Sequence, residues 1–171
     1  MKRSIFTIPF VLLILLSCSE IETPRSVVEE ELILQYIEDK GLEAIKHSTG
    51  LYYVINDPGI GDEYPYVDRT TGNSSLVKVE YTGYFMNDTV FDSGLWDFYP
   101  LGTAIQGWHY GLSMLKIGGS AKLILPSNLG YGSINVYEDF DTDGDGVADS
   151  SAVRIPANSI LIFDVELLDI K

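Results

Sequence analysis

An α+β domain is the fold class this sequence predicts, on three observations. Period-two hydrophobicity recurs along the stretch from Leu51 to Ile170. Within that stretch only one short segment carries helical spacing, and Gly, Pro, Asn and Asp punctuate the rest. Composition agrees, since eleven Tyr and sixteen Gly in 171 residues favour strands and turns over a helical bundle.

The elements follow in order. Lys2 and Arg3 precede an apolar run from Ile5 to Leu16, broken only by Thr7 and Pro9. The run is too short to cross a bilayer comfortably but suits a signal-peptide core. It leads into Leu15-Leu16-Ser17-Cys18, which resembles the bacterial lipobox, where the cysteine becomes the lipidated first residue. Cys18 is the only cysteine, so no intramolecular disulfide can form. The expectation is a signal peptide over 1–17 and a tether with an N-terminal helix over 18–49. Cys18 would then carry a lipid anchor holding the chain to a membrane of the bacterial envelope, the outer membrane on its periplasmic or surface side. The formal charge of −14, with no Lys/Arg cluster after the leader, argues against a nucleic-acid partner.

Ser26-Val27-Val28-Glu29 has the form of a capping box. Val28, Leu32, Ile33, Tyr36 and Ile37 then recur at helical spacing before Gly41, predicting a helix over about 27–40. Residues 51–55 predict a strand, and 58–75 an exposed loop rich in Gly, Pro, Asp and Thr. From Leu76 to Phe85 the pattern alternates, with Val77, Val79, Tyr81 and Gly83 on one face. Thr89 to Asp92 predicts a short strand ending in a Ser-Gly turn. Trp108, Leu112 and Leu115 predict one short amphipathic helix, closed by Gly118-Gly119. Ala121–Leu125 and Ser159–Ile170 complete about five strands. His47 and His109 lack partners in the sequence and are expected to face solvent.

Tyr81, Phe91, Asp92, Trp108, Tyr131 and Phe163 stand in the local frames VEYTG, VFDSG, IQGW, LGYG and ILIFDVELL. They lie too far apart to meet through local periodicity. If they converge, they line one shared cavity, whose aromatic walls suit a neutral, flat, apolar group.

Taken together, VKVEYTGYF, FDSG, LGTAIQGWHYGLSMLKIGGSAKLILPSNLGYG and IPANSILIFDVELLDI occur in order over roughly residues 50–171. This series resembles the FKBP-type peptidyl-prolyl cis-trans isomerases. The resemblance implies a curved antiparallel sheet of about five strands wrapped around one short helix. It implies an enzyme that isomerises X-Pro bonds in proline-containing polypeptides without a cofactor, and so assists the folding of exported proteins. It also implies roles: Trp108 as pocket floor, Tyr81, Phe91 and Phe163 as walls, and Ala104 and Ile105 as substrate contacts. Tyr131 would hold a substrate carbonyl, Ile155 would touch substrate at the rim, and Asp92 would act by electrostatics and by ordering Tyr81. Trp96 or Phe98 would fill a further wall position.

Two departures from the family pattern stand out. The stretch from Gly102 to Trp108 is shorter by about two residues. Five residues after Asp92, where the family commonly carries a basic partner, stands Asp97, which leaves Asp92 without that ion pair.

An insertion over 133–154 interrupts the resemblance. Six acidic residues fall within the twelve positions from Glu138 to Asp149. DTDGDGVAD resembles the calcium loops of EF-hands and thrombospondin type 3 repeats. Asp141, Asp143 and Asp145, the Val147 carbonyl and Asp149 could converge on one calcium ion, with Gly146 giving the sharp turn. The twelfth position is Ala152 instead of a bidentate Glu. Two other readings of the chain are a non-catalytic chaperone or binding module on the same fold, and a calcium-dependent envelope component.

Overall fold

The structure is a computed structural model and describes residues 24–140 and 150–171. Six strands form one antiparallel sheet: β1 (Ile45–Lys46), β2 (Tyr52–Asp57), β3 (Leu76–Tyr84), β4 (Val90–Pro100), β5 (Gly119–Leu125) and β8 (Leu161–Ile170). Their order is β1-β2-β5-β8-β3-β4. The last strand in sequence thus lies in the interior, bonded to β5 on one side and β3 on the other.

Alternation along β8 divides the molecule into two apolar clusters. Leu161, Phe163, Val165 and Leu167 face the main core, whereas Ile162 faces a smaller one. The main core receives the helix α2 (Gln106–Leu112), which buries Trp108 and Leu112. Gly107 and Gly111 let this helix lie against β5. A Cβ on Gly107 would fall 2.0 Å from Leu125 Cδ2, and one on Gly111 would fall 2.3 Å from Leu123 Cδ1.

The smaller cluster receives the N-terminal helix α1 (Arg25–Asp39), which buries Glu29, Ile33 and Tyr36 against Tyr52, Ile124 and Ile162. The helix ends where expected. Gly41 adopts φ +61°, the Gly41 N–H donates to Glu38 O, and the Leu42 N–H donates to Ile37 O. This is a Schellman motif.

The helix start differs from the expected capping box. Pro24 precedes the first turn and Ser26 lies inside it, with no side-chain cap bond. Glu29 instead turns inward, 5 % exposed, and accepts from the Ser127 N–H at 2.9 Å and the Ser127 Oγ–H at 2.7 Å. A buried carboxylate with two donors from the domain outweighs a single exposed cap. Val28 and Leu32, expected on the buried stripe, are 40 % and 43 % exposed.

Two strand expectations are also corrected. β4 runs on through Ser93-Gly94, because both pair in the ladder opposite Thr82 and Tyr81. The insertion contains two strands, β6 (Val136–Phe140) and β7 (Ser150–Ile155), paired as a separate hairpin. The proposed calcium ligands at 141, 143, 145, 147 and 149, and Cys18, lie outside the described residues. Neither histidine is a free surface group. His47 stacks on Tyr110 with centroids 5.7 Å apart. Both His109 ring nitrogens are shielded from solvent, and burial lowers the pKa of this imidazole.

Candidate functional site

A cavity of about 290 Å³ opens between α2 and the β3–β4–β8 part of the sheet. Tyr81, Phe91, Asp92, Trp108, Tyr131 and Phe163, scattered over the sequence, all line it. A larger open groove of about 780 Å³ lies between α1 and the β3–β4 turn. That groove contains none of these six residues, so the smaller cavity is where the chemistry-bearing side chains meet.

Trp108 joins the other rings. Its centroid lies 5.1 Å from Tyr81 and 5.5 Å from Phe163, both edge-to-face, and 5.0 Å from Trp96. Phe91 meets Phe163 edge-to-face at 5.6 Å. Such contacts fix ring orientation as well as burying area. Gly83 makes the last pair possible. It lies opposite Asp92 on one side and Phe163 on the other, and a Cβ there would stand 2.6 Å from the Phe91 ring and 3.0 Å from the Phe163 ring.

Two bulges in β4 aim its side chains. Neighbouring residues in a regular strand face opposite ways, yet Phe91 and Asp92 both reach the cavity. The register shifts between them: Asp92 pairs with Gly83 but Val90 pairs with Tyr84, leaving Phe91 as the extra residue. A second shift lies between the Val79–Trp96 and Val77–Tyr99 pairs, with Phe98 at φ +60°. This bulge settles the open wall position. Trp96 lines the cavity, and the Phe98 ring lies under the Lys171 and Lys78 ammonium groups instead.

Tyr81 and Asp92 are diagonal neighbours across the ladder, each opposite a glycine. The Tyr81 hydroxyl donates to Asp92 Oδ2 at 3.0 Å. Burial first, then the bond to Asp92 and its charge, push the Tyr81 phenol up to about 12. Burial likewise raises Tyr131. Both phenols therefore stay protonated, as donors, throughout the neutral range.

Ala104 and Ile105 line the cavity just before α2, beside Thr103. Ile155, expected at the rim, is 1 % exposed, packs in the main core and does not line the cavity. Its neighbour Arg154 does. Arg154 Nη2 lies 3.4 Å from Asp92 Oδ2, so Asp92 has an ion-pair partner after all, supplied by β7. The expected gap at Asp97 is real, but that carboxylate pairs with Lys78 at 3.1 Å. Arg154 carried one sequence signal, as the single basic residue between Lys122 and Lys171.

Among the described residues, no group of three His, Cys, Asp or Glu side chains could hold a metal ion. The cavity offers rings, two phenols and one carboxylate paired with an arginine. It can enclose an apolar ring and hold a carbonyl oxygen.

Comparison with known proteins agrees with this architecture. Residues 67–168 match the model of the family described as FKBP-type peptidyl-prolyl cis-trans isomerase. FkpA of Buchnera aphidicola from Schizaphis graminum is 40 % identical over 152 residues, covering 86 % of this chain and 51 % of that protein. FkpA of Escherichia coli K12 is 33 % identical over 141 residues, covering 80 % and 43 %. The chain therefore spans about half the length of these curated relatives. The crystal structure of Escherichia coli FkpA superposes with a TM-score of 0.59 at 30 % identity, over 86 % of this chain and 59 % of that one. A peptidyl-prolyl cis-trans isomerase from Pseudomonas syringae pv. tomato shares the fold with a TM-score of 0.59 at 21 % identity, over 88 % and 98 %. By fold, by cavity and by the match over most of the sheet, this chain belongs to the FKBP-type peptidyl-prolyl cis-trans isomerase family.

Proposed function

We propose that the chain is a peptidyl-prolyl cis-trans isomerase that accelerates rotation about X-Pro bonds in proteins carried into the bacterial envelope. Rotation breaks amide resonance, and the uncatalysed barrier is about 18–20 kcal/mol. At the twisted transition state the C–N bond has single-bond character and the carbonyl has lost part of its dipole. A dry aromatic pocket holds that less polar state better than the flat ground state. Each 1.36 kcal/mol of such preference is worth about tenfold in rate. No nucleophile, metal or cofactor takes part.

In this reading the proline ring rests on Trp108 between Tyr81, Phe91, Phe163 and Trp96. Ala104 and Ile105 meet the substrate backbone, and the Tyr131 hydroxyl donates to a substrate carbonyl. Asp92 orients the Tyr81 phenol and does not act as a base. The observation that carries the reading is the single cavity enclosing Trp108, Phe163, Phe91 and the Tyr81–Asp92 pair. A protease-coupled prolyl-peptide assay tests it. Trp108→Leu should lower kcat/KM by roughly 10- to 100-fold, the loss of one to two such increments. Equal rates for the two proteins, or no acceleration by the wild type, would sink the reading.

We also propose a lipid anchor at Cys18, supported by Lys2, Arg3, the apolar run and the Leu-Leu-Ser-Cys pattern. Cys18→Ser should abolish labelling by radioactive palmitate and release the protein from membranes. For the acidic insertion we propose calcium binding at 141–149. Pairing of Phe140 with Ser150 supports this by holding the two ends of that segment together. Titration calorimetry should detect calcium uptake that Asp143→Asn with Asp145→Asn removes. The absence of heat in the wild type would end the idea.

A further inference from the structure

We propose that Arg154 positions Asp92 and sets the charge preference of the prolyl site: it neutralises that carboxylate from the β6–β7 hairpin, so substrate residues of either sign are tolerated next to proline. The inference rests on the isomerase reading above.

The Asp92 side chain is 31 % exposed at the wall of a largely aromatic cavity. In such a place a bare carboxylate projects its field into the cavity with little screening. The described residues offer one cation to oppose it. Lys78 is engaged by Asp97 at 3.1 Å and Lys122 by Asp164 at 2.6 Å. Arg154 Nη2 lies 3.4 Å from Asp92 Oδ2, the same oxygen that accepts the Tyr81 hydroxyl.

The guanidinium also stands on a fixed foot. Its neighbour Ile155 is buried in the main core and pairs with Val136 at the base of the hairpin, and Arg154 Nε is shielded from solvent. Removing the guanidinium charge therefore leaves one uncompensated negative charge beside the bound proline. That charge would repel a carboxylate and attract an ammonium on the substrate residue next to it.

The experiment compares three prolyl peptides, with Glu, Leu or Lys before proline, on wild type, Arg154→Met, Arg154→Lys and the double variant Arg154→Met with Asp92→Asn. Circular dichroism checks that each is folded. Arg154→Met should move the Lys-to-Glu ratio of kcat/KM about tenfold toward Lys, and less at high salt. Arg154→Lys should return the ratio near the wild-type value. The double variant should also show the wild-type ratio, because both charges are gone. A merely structural role would lower all three substrates alike and leave the ratio fixed. An unmoved ratio in Arg154→Met, or a shift that persists in the double variant, overturns the assignment while leaving the isomerase reading intact. A wild type that accelerates none of the three peptides overturns both.

Discussion

The two helices lie on opposite faces of one sheet and are held there by different physics. α2 docks through an absence of atoms, since Gly107 and Gly111 let its backbone settle against Leu125 and Leu123. α1 docks partly through a polar latch, the Glu29 carboxylate on Ser127. The face that carries the cavity is thus assembled by close apolar contact, which excludes water around Trp108. The other face holds a buried carboxyl group that two Ser127 donors satisfy. The lesson is that one sheet can hold a site whose polarity is tightly specified while its reverse side is fastened by whatever donors are at hand.

The comparison can be broken most sharply at Gly107. Gly107→Ala places a methyl group 2.0 Å from Leu125 Cδ2, and Leu125 is fully buried. Overpacking should cost about 2–3 kcal/mol, against about 1 kcal/mol regained in helix propensity. The net loss appears as a lower urea midpoint. Prolyl turnover should fall with it, because residue 107 immediately precedes Trp108. Unchanged stability would mean that α2 can ride away from the sheet freely.

On the other face, Glu29→Gln keeps one acceptor oxygen and loses the second. It should cost about 1 kcal/mol and lower Tm by a few degrees. Turnover of short peptides should be unaffected. A variant that loses activity without losing stability would show that the latch reaches the loop bearing Tyr131.

The smallest effect is the acid-side pH dependence set by His109. Burial lowers the folded pKa of His109 below the ordinary imidazole value of 6.5. The unfolded chain therefore takes up this proton first as pH falls, and stability declines from about pH 6.5 downward. Urea midpoints at pH 7.5 and 5.5 should differ in the wild type and differ less in His109→Gln. At the alkaline end the sign reverses. Tyr36 and Tyr81 ionise near 12 when folded but near 10 when unfolded, so stability is lost as pH rises from about 10 to 12.

Much of the fold was legible because β3 alternates, β5 is a compact apolar run stopped by Pro126, and Trp108, Leu112 and Leu115 mark one helical face. Five aromatic members of the cavity were legible because each stands in a distinctive local frame, whereas Trp96 could not be told from Phe98 without the bulge between Val77 and Val79. What was not legible depended on distant partners. Ser93-Gly94 reads as a turn locally, but its backbone is taken up by Thr82 and Tyr81 across the ladder. Ser26 and Glu29 read as a cap, yet the carboxylate finds better donors 98 positions away. Arg154 could be noticed as a lone cation but not assigned, since its tie to Asp92 crosses 62 positions. At Ile155 strand alternation decides: Ile155 enters the core and its neighbour Arg154 faces the cavity.

The interior place of β8 bears on how the molecule comes into being. Residues 161–170 are the keystone between β5 and β3, and Phe163 completes the ring of aromatics. A nascent chain that has not yet delivered this segment has two half-sheets with bare edges and no finished hollow. Such an intermediate exposes edges open to mispairing, so closure of the sheet waits on the delivery of residues 161–170.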